Sequence, residues 1–188
     1  MDEATRLIKV TLLLALLVTV AIVGARTYFP FRHRALIQDI ASEFEVDPAL
    51  VAAVIRRESG FRADATSPQG ARGLMQVMPQ TGKWVATRLE WDGFDPQDLY
   101  DPAINVRFGT FYLRDLQKVF EDDLVLVLAA YNGGRQNVRN WLAEKGANSL
   151  TLDDIPFAET RRYVEKVLNA YGWYQVLYGW EPRVFPPS

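Results

Sequence analysis

An uncharged and strongly apolar run at residues 10–25 constrains the fold of this chain more than any other feature of its sequence. The run lies between Lys9 and Arg26 and is just under the length that spans a bilayer. Inside a bilayer a helix satisfies every backbone polar group within its own segment, and flanking basic side chains reach back to the interface. The run therefore predicts one N-terminal transmembrane helix, and it leaves the rest of the chain to form the globular part.

Two interpretations of this segment stay open. It is either a retained single-pass anchor or a signal peptide that is cleaved after residues 23–25, a small-x-small site. The length of the apolar run favours the anchor, because it is at or beyond the usual length of the apolar h-region of a signal peptide. Basic residues flank both sides, so their distribution does not set the orientation. Residues 1–9 form a flank and residues 26–33 a juxtamembrane linker, whose aromatic residues at 28–31 are expected at the interface.

Beyond the linker, apolar residues recur at spacings of three and four, and no segment alternates as a strand does. Asp47-Pro48 and Asp101-Pro102 are typical helix starts, with Asp as the N-cap and Pro at the first helical position. Residues 124–130 have no polar face and predict the central buried helix. The sequence thus predicts one all-α globular domain over residues 34–180, with a Pro-rich tail at 181–188. The predicted helices cover about 34–45, 47–59, 73–78, 79–89, 101–120, 123–132, 138–142 and 159–177.

Composition excludes several kinds of site. The chain has no Cys and a single His, His33, so disulfides, thiolate catalysis and multi-His metal sites are not expected. We therefore expect no metal and no cofactor. Residues 34–188 carry four more acidic than basic residues, because residues 1–33 hold four of the 21 basic and two of the 23 acidic side chains. This balance argues against a nucleic-acid partner and favours a neutral or weakly charged polymer. We expect a monomer.

Glu58 is the candidate for acid–base chemistry. It ends the helix that Asp47-Pro48 begins, and it shares one face with Val51, Val54 and Ile55. If that face is buried, desolvation raises the pKa of the carboxyl group and keeps its proton near neutral pH, as a general acid requires. A solvated glutamate at the helix end is the simpler interpretation of this local pattern, so the rest of the chain has to decide.

Seven further residues are weaker candidates, and each has a simple structural explanation. Ser67 is typical of a turn, Met75 of a core and Gln76 of a surface. Asn132 follows Tyr131 at the end of the buried helix, where Asn caps a helix. Glu159 is a first-turn glutamate favoured by the helix dipole, with Tyr163 on the same face. The functional alternatives are that the Ser67 hydroxyl bonds the acid or the substrate and that Gln76 beside Met75 faces a wet cleft. Tyr131 and Asn132 would form a polar pair at a cleft, and Glu159 and Tyr163 a hydrogen-bonding pair.

Four sequence motifs favour the functional interpretation of these residues over the structural one. In order along the chain they are Glu58-Ser59-Gly60-Phe61, Gly73-Leu74-Met75-Gln76-Val77-Met78-Pro79-Gln80-Thr81, Ala130-Tyr131-Asn132-Gly133-Gly134 and Glu159-Thr160-Arg161-Arg162-Tyr163-Val164. Together they resemble the motifs of the soluble lytic transglycosylase (SLT) family, which has a goose-type-lysozyme-like domain. The resemblance covers about residues 36–178. It implies a lysozyme-like all-α lobe that acts on peptidoglycan strands.

The resemblance also implies roles for single residues. Glu58 corresponds to the general acid/base, and the seven other candidates correspond to positions that line the substrate cleft. In this family one glutamate protonates the oxygen between N-acetylmuramic acid (MurNAc) and N-acetylglucosamine (GlcNAc). It then withdraws the proton from the C6 hydroxyl of the muramic acid, and a 1,6-anhydromuramoyl product forms.

The resemblance leaves three functions open. The first is a lytic transglycosylase in the bacterial cell membrane, with its catalytic domain on the extracytoplasmic side or secreted after signal cleavage. The second is a hydrolytic muramidase of the lysozyme type, which needs a second carboxylate such as Asp64, Asp92 or Glu159. The third is a peptidoglycan-binding module without catalysis.

Overall fold

The computed structural model describes residues 3–179, and within that range the chain is helical without a β-strand. Isolated bridges pair Arg72 with Thr66 and with Val77. This confirms the all-α prediction. The helices are α1 (Glu3–Tyr28), α2 (Arg34–Glu43), α3 (Pro48–Glu58), α4 (Pro79–Arg88), α5 (Pro102–Val119), α6 (Leu124–Gly133), α7 (Arg135–Lys145) and α8 (Ala158–Tyr178), with short 3₁₀ turns at Pro96–Tyr100 and Leu152–Asp154.

Aspartates begin three of the helices. Asp47 accepts a hydrogen bond from the Ala49 N–H, and Asp101 accepts bonds from the first turn of α5. Asp123, in the same way, caps α6. These side chains satisfy backbone donors that a helix leaves unpaired at its start, which is why the Asp-Pro pairs predict the starts of α3 and α5 correctly.

Two buried helices bring the site together. Residues 126–130 of α6 are buried, and so are residues 49–55 of α3. Both helices pack against α8, whose buried residues include Tyr163, Val164 and Val167. The C-terminal ends of α3 and α6 therefore meet beside the first turns of α8.

One predicted helix is wrong. Residues 73–78 form a turn whose backbone pairs Arg72 with Val77, and not a helix. Gly73 and Gln76 adopt positive φ angles of 74° and 49°, which a right-handed helix does not contain. The apolar residues of the segment, Leu74 and Met75, are nevertheless fully buried, so their apolar character reflects burial and not helix periodicity.

Residues 26–33 are more ordered than a linker. Helix α1 continues to Tyr28, and the Arg26 side chain donates a hydrogen bond to the Leu177 O at 3.0 Å. Phe29 is buried and stacks on Trp173 at 5.5 Å. Aromatic packing against α8 therefore holds the segment in place. Helix α1 has no buried residue and is exposed except at Ala25, which packs against the core. It is the one helix among the described residues that is long and apolar enough to cross a membrane. The predicted tail, residues 181–188, lies outside the described residues.

Candidate active site

Glu58 is the last residue of α3, and the face it shares with Val51, Val54 and Ile55 is fully buried. Helix α3 ends here because Gly60, two residues on, adopts a φ of 61°, a conformation that favours glycine. The Ser59 hydroxyl donates a hydrogen bond to the Leu74 O at 2.7 Å, and this bond joins the end of α3 to the turn at residues 72–77. The buried face of α3 and the hydrogen bond of Ser59 thus position the Glu58 carboxyl group at the end of the helix, beside the core.

Burial dominates the electrostatics of Glu58. Desolvation raises the pKa of its carboxyl group from the ordinary 4.5 to about 7. The Tyr163 hydroxyl and the Arg57 guanidinium act in the opposite direction, and they lower the pKa by a smaller amount. Near neutral pH the group is therefore divided between acid and carboxylate, so it can donate a proton in one step and accept one in the next.

Tyr163 lies beside this carboxyl group on the second turn of α8. Its side chain is buried, and Arg57 lies over its ring with the guanidinium carbon 5.6 Å from the ring centroid. The hydroxyl is close enough to affect the pKa of Glu58, yet among the described residues it has no partner with good hydrogen-bond geometry. Tyr163 thus has a buried hydroxyl next to the acid that can donate to the carboxylate or to a ligand.

Tyr131 approaches from α6. Its hydroxyl donates a hydrogen bond to the Met75 O at 2.9 Å, and its ring lies 5.6 Å from that of Tyr112. Burial raises the pKa of Tyr131 well above 10, and the nearby Glu58 carboxylate raises it further. Burial raises the pKa of Tyr163 in the same way. Both tyrosines therefore stay protonated; the hydroxyl proton of Tyr131 is bound to the Met75 O, whereas that of Tyr163 has no such partner among the described residues.

The turn at residues 72–77, which we call the floor turn, holds Met75 and Gln76. Asn105 on α5 organises it: its Oδ1 accepts from the Met75 N–H at 2.7 Å, and its Nδ2 donates to the Arg72 O and the Leu99 O. A Cβ atom on Gly73 would overlap both Leu99 O and the Asn105 side chain, so only glycine fits there. The floor turn is thereby fixed against α5.

Sequence reasoning missed Asn105. It lies on the buried face of α5 and is itself fully buried, with its amide fully used. A polar residue within an apolar stripe is the signal that could have revealed it, because a buried amide must find partners. Tyr112, which is partly buried and packs against Tyr131, was also missed; its position in an apolar stripe is typical of a core residue.

The predicted residues of the floor turn and its neighbouring loop serve the fold. Met75 is buried against Gly109, and its Sδ accepts a weak bond from the Thr110 hydroxyl at 3.8 Å. The Gln76 side chain donates to the Ala65 O and the Gly73 O. Ser67 Oγ accepts from the Ala71 N–H at 3.0 Å, as the turn interpretation predicts. Of these residues, Met75 is joined to the acid site, through its carbonyl and Tyr131.

Asn132 and Glu159 lie at the surface. Asn132 is exposed one residue after Tyr131, and Glu159 is exposed in the first turn of α8, one turn before Tyr163. Neither side chain forms a hydrogen bond or ion pair within the described part of the chain. Both are free to meet a ligand that lies across the ends of α6 and α8. No group of three or more His, Asp and Glu side chains among the described residues could hold a metal ion.

Known proteins share this architecture. The model of the family described as the transglycosylase SLT domain matches residues 35–152. The soluble lytic murein transglycosylase of Escherichia coli K12 is 34% identical over 160 residues, which cover 83% of this chain and 25% of that protein. The membrane-bound lytic murein transglycosylase C of Edwardsiella ictaluri is 32% identical over 161 residues, 73% of this chain and 45% of that protein.

Solved structures of lytic transglycosylases are also similar to this chain. The 70 kDa soluble lytic transglycosylase of E. coli matches with a TM-score of 0.78 and 33% identity, over 82% of this chain and 26% of that one. The lytic transglycosylase Slt of Pseudomonas aeruginosa, solved as an inactive glutamate-to-glutamine mutant, matches with a TM-score of 0.74 and 34% identity, over 85% of this chain and 26% of that one. This chain thus spans about a quarter of the length of these soluble relatives. With the family model covering most of the globular domain, the chain belongs to the transglycosylase SLT domain family.

Proposed function

We propose that this chain is a peptidoglycan lytic transglycosylase that cleaves the MurNAc–GlcNAc β-1,4 bond and leaves a 1,6-anhydromuramoyl end. The observation that carries the proposal is Glu58, a single carboxyl group with a pKa of about 7 close to the buried Tyr163 and the partly buried Tyr131. Membership of the SLT family, and the names of its relatives, supply the substrate class.

In the first step the protonated Glu58 donates its proton to the glycosidic oxygen, and the bond between C1 of MurNAc and that oxygen breaks. Positive charge develops at C1, and the N-acetyl group of the same sugar stabilises it. The GlcNAc side leaves as an alcohol, and Glu58 remains as a carboxylate. Because the pKa of Glu58 lies near neutral pH, this proton transfer has a small free-energy cost at physiological pH.

In the second step the Glu58 carboxylate takes the proton of the MurNAc C6 hydroxyl, whose oxygen then bonds to C1. The acid is restored, one C–O bond has replaced another, and no water is consumed. An attack within one sugar gains from proximity, because the nucleophile is already part of the bound substrate. Tyr163, Tyr131, Asn132 and Glu159 would hold the sugars around Glu58, while Ser67, Met75 and Gln76 would shape the floor beneath them.

The surroundings of Glu58 support a single acid over a pair. In a retaining glycosidase the second carboxylate lies about 5 Å away, and its charge raises the pKa of the acid. Besides burial, the groups that shift the pKa of Glu58 are a tyrosine hydroxyl and a guanidinium, and neither is a carboxyl. Asp64, Asp92 and Glu159, the partners considered from sequence, are all exposed.

A digest of purified peptidoglycan tests the proposal. The full-length chain in detergent is expected to release muropeptides with anhydro ends, which mass spectrometry finds lighter than reducing ends by one water. Glu58→Gln is expected to lose turnover while its helical circular dichroism stays unchanged. Reducing ends would indicate a muramidase, and no release by the wild type would indicate a binding module. Release by the glutamine variant at the wild-type rate would rule out Glu58 as the acid.

We also propose that α1 anchors the chain in the bacterial cell membrane as a single pass, with residues 34–179 on the extracytoplasmic side where the wall lies. The exposed apolar helix supports this, as does the similarity to a membrane-bound relative. The chain is expected in the membrane fraction after alkaline carbonate extraction, with its first residues present on N-terminal sequencing. A mature chain that starts at Arg26 would instead show a cleaved signal peptide.

A further inference from the structure

A cavity of about 660 Å³ lies where the end of α1 meets α3 and α8. Its lining combines residues 28–30, the last turn of α3 and the middle of α8. The acid cluster of Glu58, Tyr131 and Tyr163 lies outside this lining. Arg57 is the lining residue that also acts on Glu58, because its guanidinium lowers the pKa of that carboxyl group.

The cavity has an excess of positive charge. Arg56, Arg57 and Lys166 line it, against a single acidic residue, Glu165. Within the described part of the chain no carboxylate lies within ion-pair distance of any of the three basic side chains. The three basic side chains thus line one cavity and have no ion-pair partners among the described residues, so together they can bind an anion.

Arg56 has the most aromatic contacts of the three. Its guanidinium carbon lies 4.7 Å from the ring centroid of Tyr28 and 4.4 Å from that of Phe29. The Tyr174 hydroxyl also interacts with this guanidinium, which uses part of its N–H donors. The remaining donors can bind an anion, and two parallel N–H donors match the geometry of a phosphate group. Aromatic contacts and Tyr174 therefore hold Arg56 beside the cavity.

The position of the cavity indicates where such a phosphate comes from. Helix α1 has 26 residues and is therefore about 39 Å long, more than the roughly 30 Å of a bilayer's hydrocarbon core. Its last residue, Tyr28, is part of the cavity wall. Tyr28 and Trp173 are exposed aromatic side chains on this side of the molecule, since both pack against Phe29, and exposed Trp and Tyr residues mark the level of the lipid headgroups.

We propose that this cavity binds the phosphate of an anionic phospholipid headgroup, taken from the leaflet that the catalytic domain faces. The proposal rests on the proposed anchoring of the chain by α1. A bound headgroup would join residues of α1, α3 and α8 at the bilayer surface. It would hold the catalytic domain in one orientation close to the membrane.

Native mass spectrometry of the full-length chain, released from detergent with added lipid, tests this. We expect the wild type to retain phosphatidylglycerol and to retain about tenfold less phosphatidylcholine, whose headgroup has no net charge. Lys166→Glu is expected to lower phosphatidylglycerol retention by about tenfold, because it replaces a charge-assisted hydrogen bond with repulsion. Lys166 is exposed on α8, so the variant should fold; the milder Lys166→Gln should move in the same direction.

Lys83→Glu is the matched control. Lys83 is exposed on α4, away from the cavity, and the substitution changes the net charge by the same amount. Equal retention of both lipids by the wild type, or an equal loss in Lys83→Glu and Lys166→Glu, would overturn the proposal. Displacement of phosphatidylglycerol by a soluble muropeptide with free carboxylates would do so too, because the cavity would then belong to the wall substrate. Carbonate extraction tests the anchor separately from these measurements.

Discussion

Glu58 shows how a common side chain acquires an uncommon property from its position. Its carboxyl group ends a helix whose inner face is fully buried, and desolvation raises its pKa to about 7 against the opposing effects of Tyr163 and Arg57. A raised pKa means that the folded protein holds the neutral acid more tightly than the unfolded chain does. The group prepared for proton transfer therefore costs stability wherever the pH would ionise it.

Glu58→Gln should make stability less dependent on pH. Between pH 4.5 and about 7 the folded wild type binds more protons at Glu58 than the unfolded chain, so its stability falls as the pH rises through this window. Glutamine does not titrate. The free energy of unfolding of the variant, relative to that of the wild type, should therefore rise by up to about 3 kcal/mol from acid to alkaline pH. Urea unfolding of the full-length chain in detergent at the two ends of the window measures it. The same change at the exposed Glu144 serves as the control, and a gain of equal size there would contradict the prediction.

Tyr163→Phe separates the hydroxyl of this tyrosine from its ring. The hydroxyl lowers the pKa of Glu58, so its removal should raise that pKa further and move the alkaline limb of the pH–rate profile to higher pH. The hydroxyl is buried without a well-formed hydrogen bond, so its loss should leave thermal stability unchanged or slightly higher. Digest rates across pH, together with a melting curve, measure both effects. A limb that moves to lower pH would show that another group governs it.

At the scale of elements, hydrogen bonds from residues distant in sequence set the conformation of the floor turn. Asn105 satisfies the Met75 N–H and two carbonyl groups, one of them the Arg72 O within the turn. Tyr131 then donates to the carbonyl of Met75, so the turn connects α5 to α6 through hydrogen bonds on both of its sides. The turn needs no periodicity of its own, because its conformation is set by neighbours that are distant in sequence.

Gly73→Ala should destabilise the chain far more than Gly70→Ala. Both glycines have positive φ angles, 74° and 87°, so both substitutions carry a backbone strain of about 1–3 kcal/mol. A Cβ atom on Gly70 meets nothing within 4 Å, whereas one on Gly73 overlaps Leu99 O and Asn105. Melting temperatures of the two variants isolate the overlap from the strain. Equal losses would mean that Asn105 can move away at little cost.

The whole molecule is arranged around α8. Helices α3 and α6, which carry Glu58 and Tyr131, both pack on it, and the end of α1 packs on its last turns. One helix thus aligns the acid, its tyrosines and the apolar helix α1. The direction of α1 relative to the site follows from packing at residues 26–31 and not from a flexible tether.

Phe29→Ala should loosen this junction without unfolding the domain. Phe29 is buried against Trp173 and Tyr174, and its truncation removes packing of the order of 3 kcal/mol between the end of α1 and α8. Limited trypsin digestion of the chain in nanodiscs should then cut faster at Arg26 or Arg32, at an unchanged melting temperature of the domain. Thr27→Ala, at an exposed residue that bonds only within α1, is the control. Cleavage at the wild-type rate would show that other contacts hold the junction.

The sequence by itself determined the helical class, the apolar N-terminal helix, the caps of α3 and α5, and the burial of the face that carries Glu58. These follow from local periodicity and capping, which act between residues close in the chain. It could not determine the floor turn, because the apolar residues there are buried by α5 and not by their own period. Only the tertiary structure decided the role of Asn105, the raised pKa of Glu58 beside Tyr163, and the packing of residues 26–31 on α8. Each of these depends on contacts between residues 15 or more positions apart, whose energies no local pattern in the sequence records.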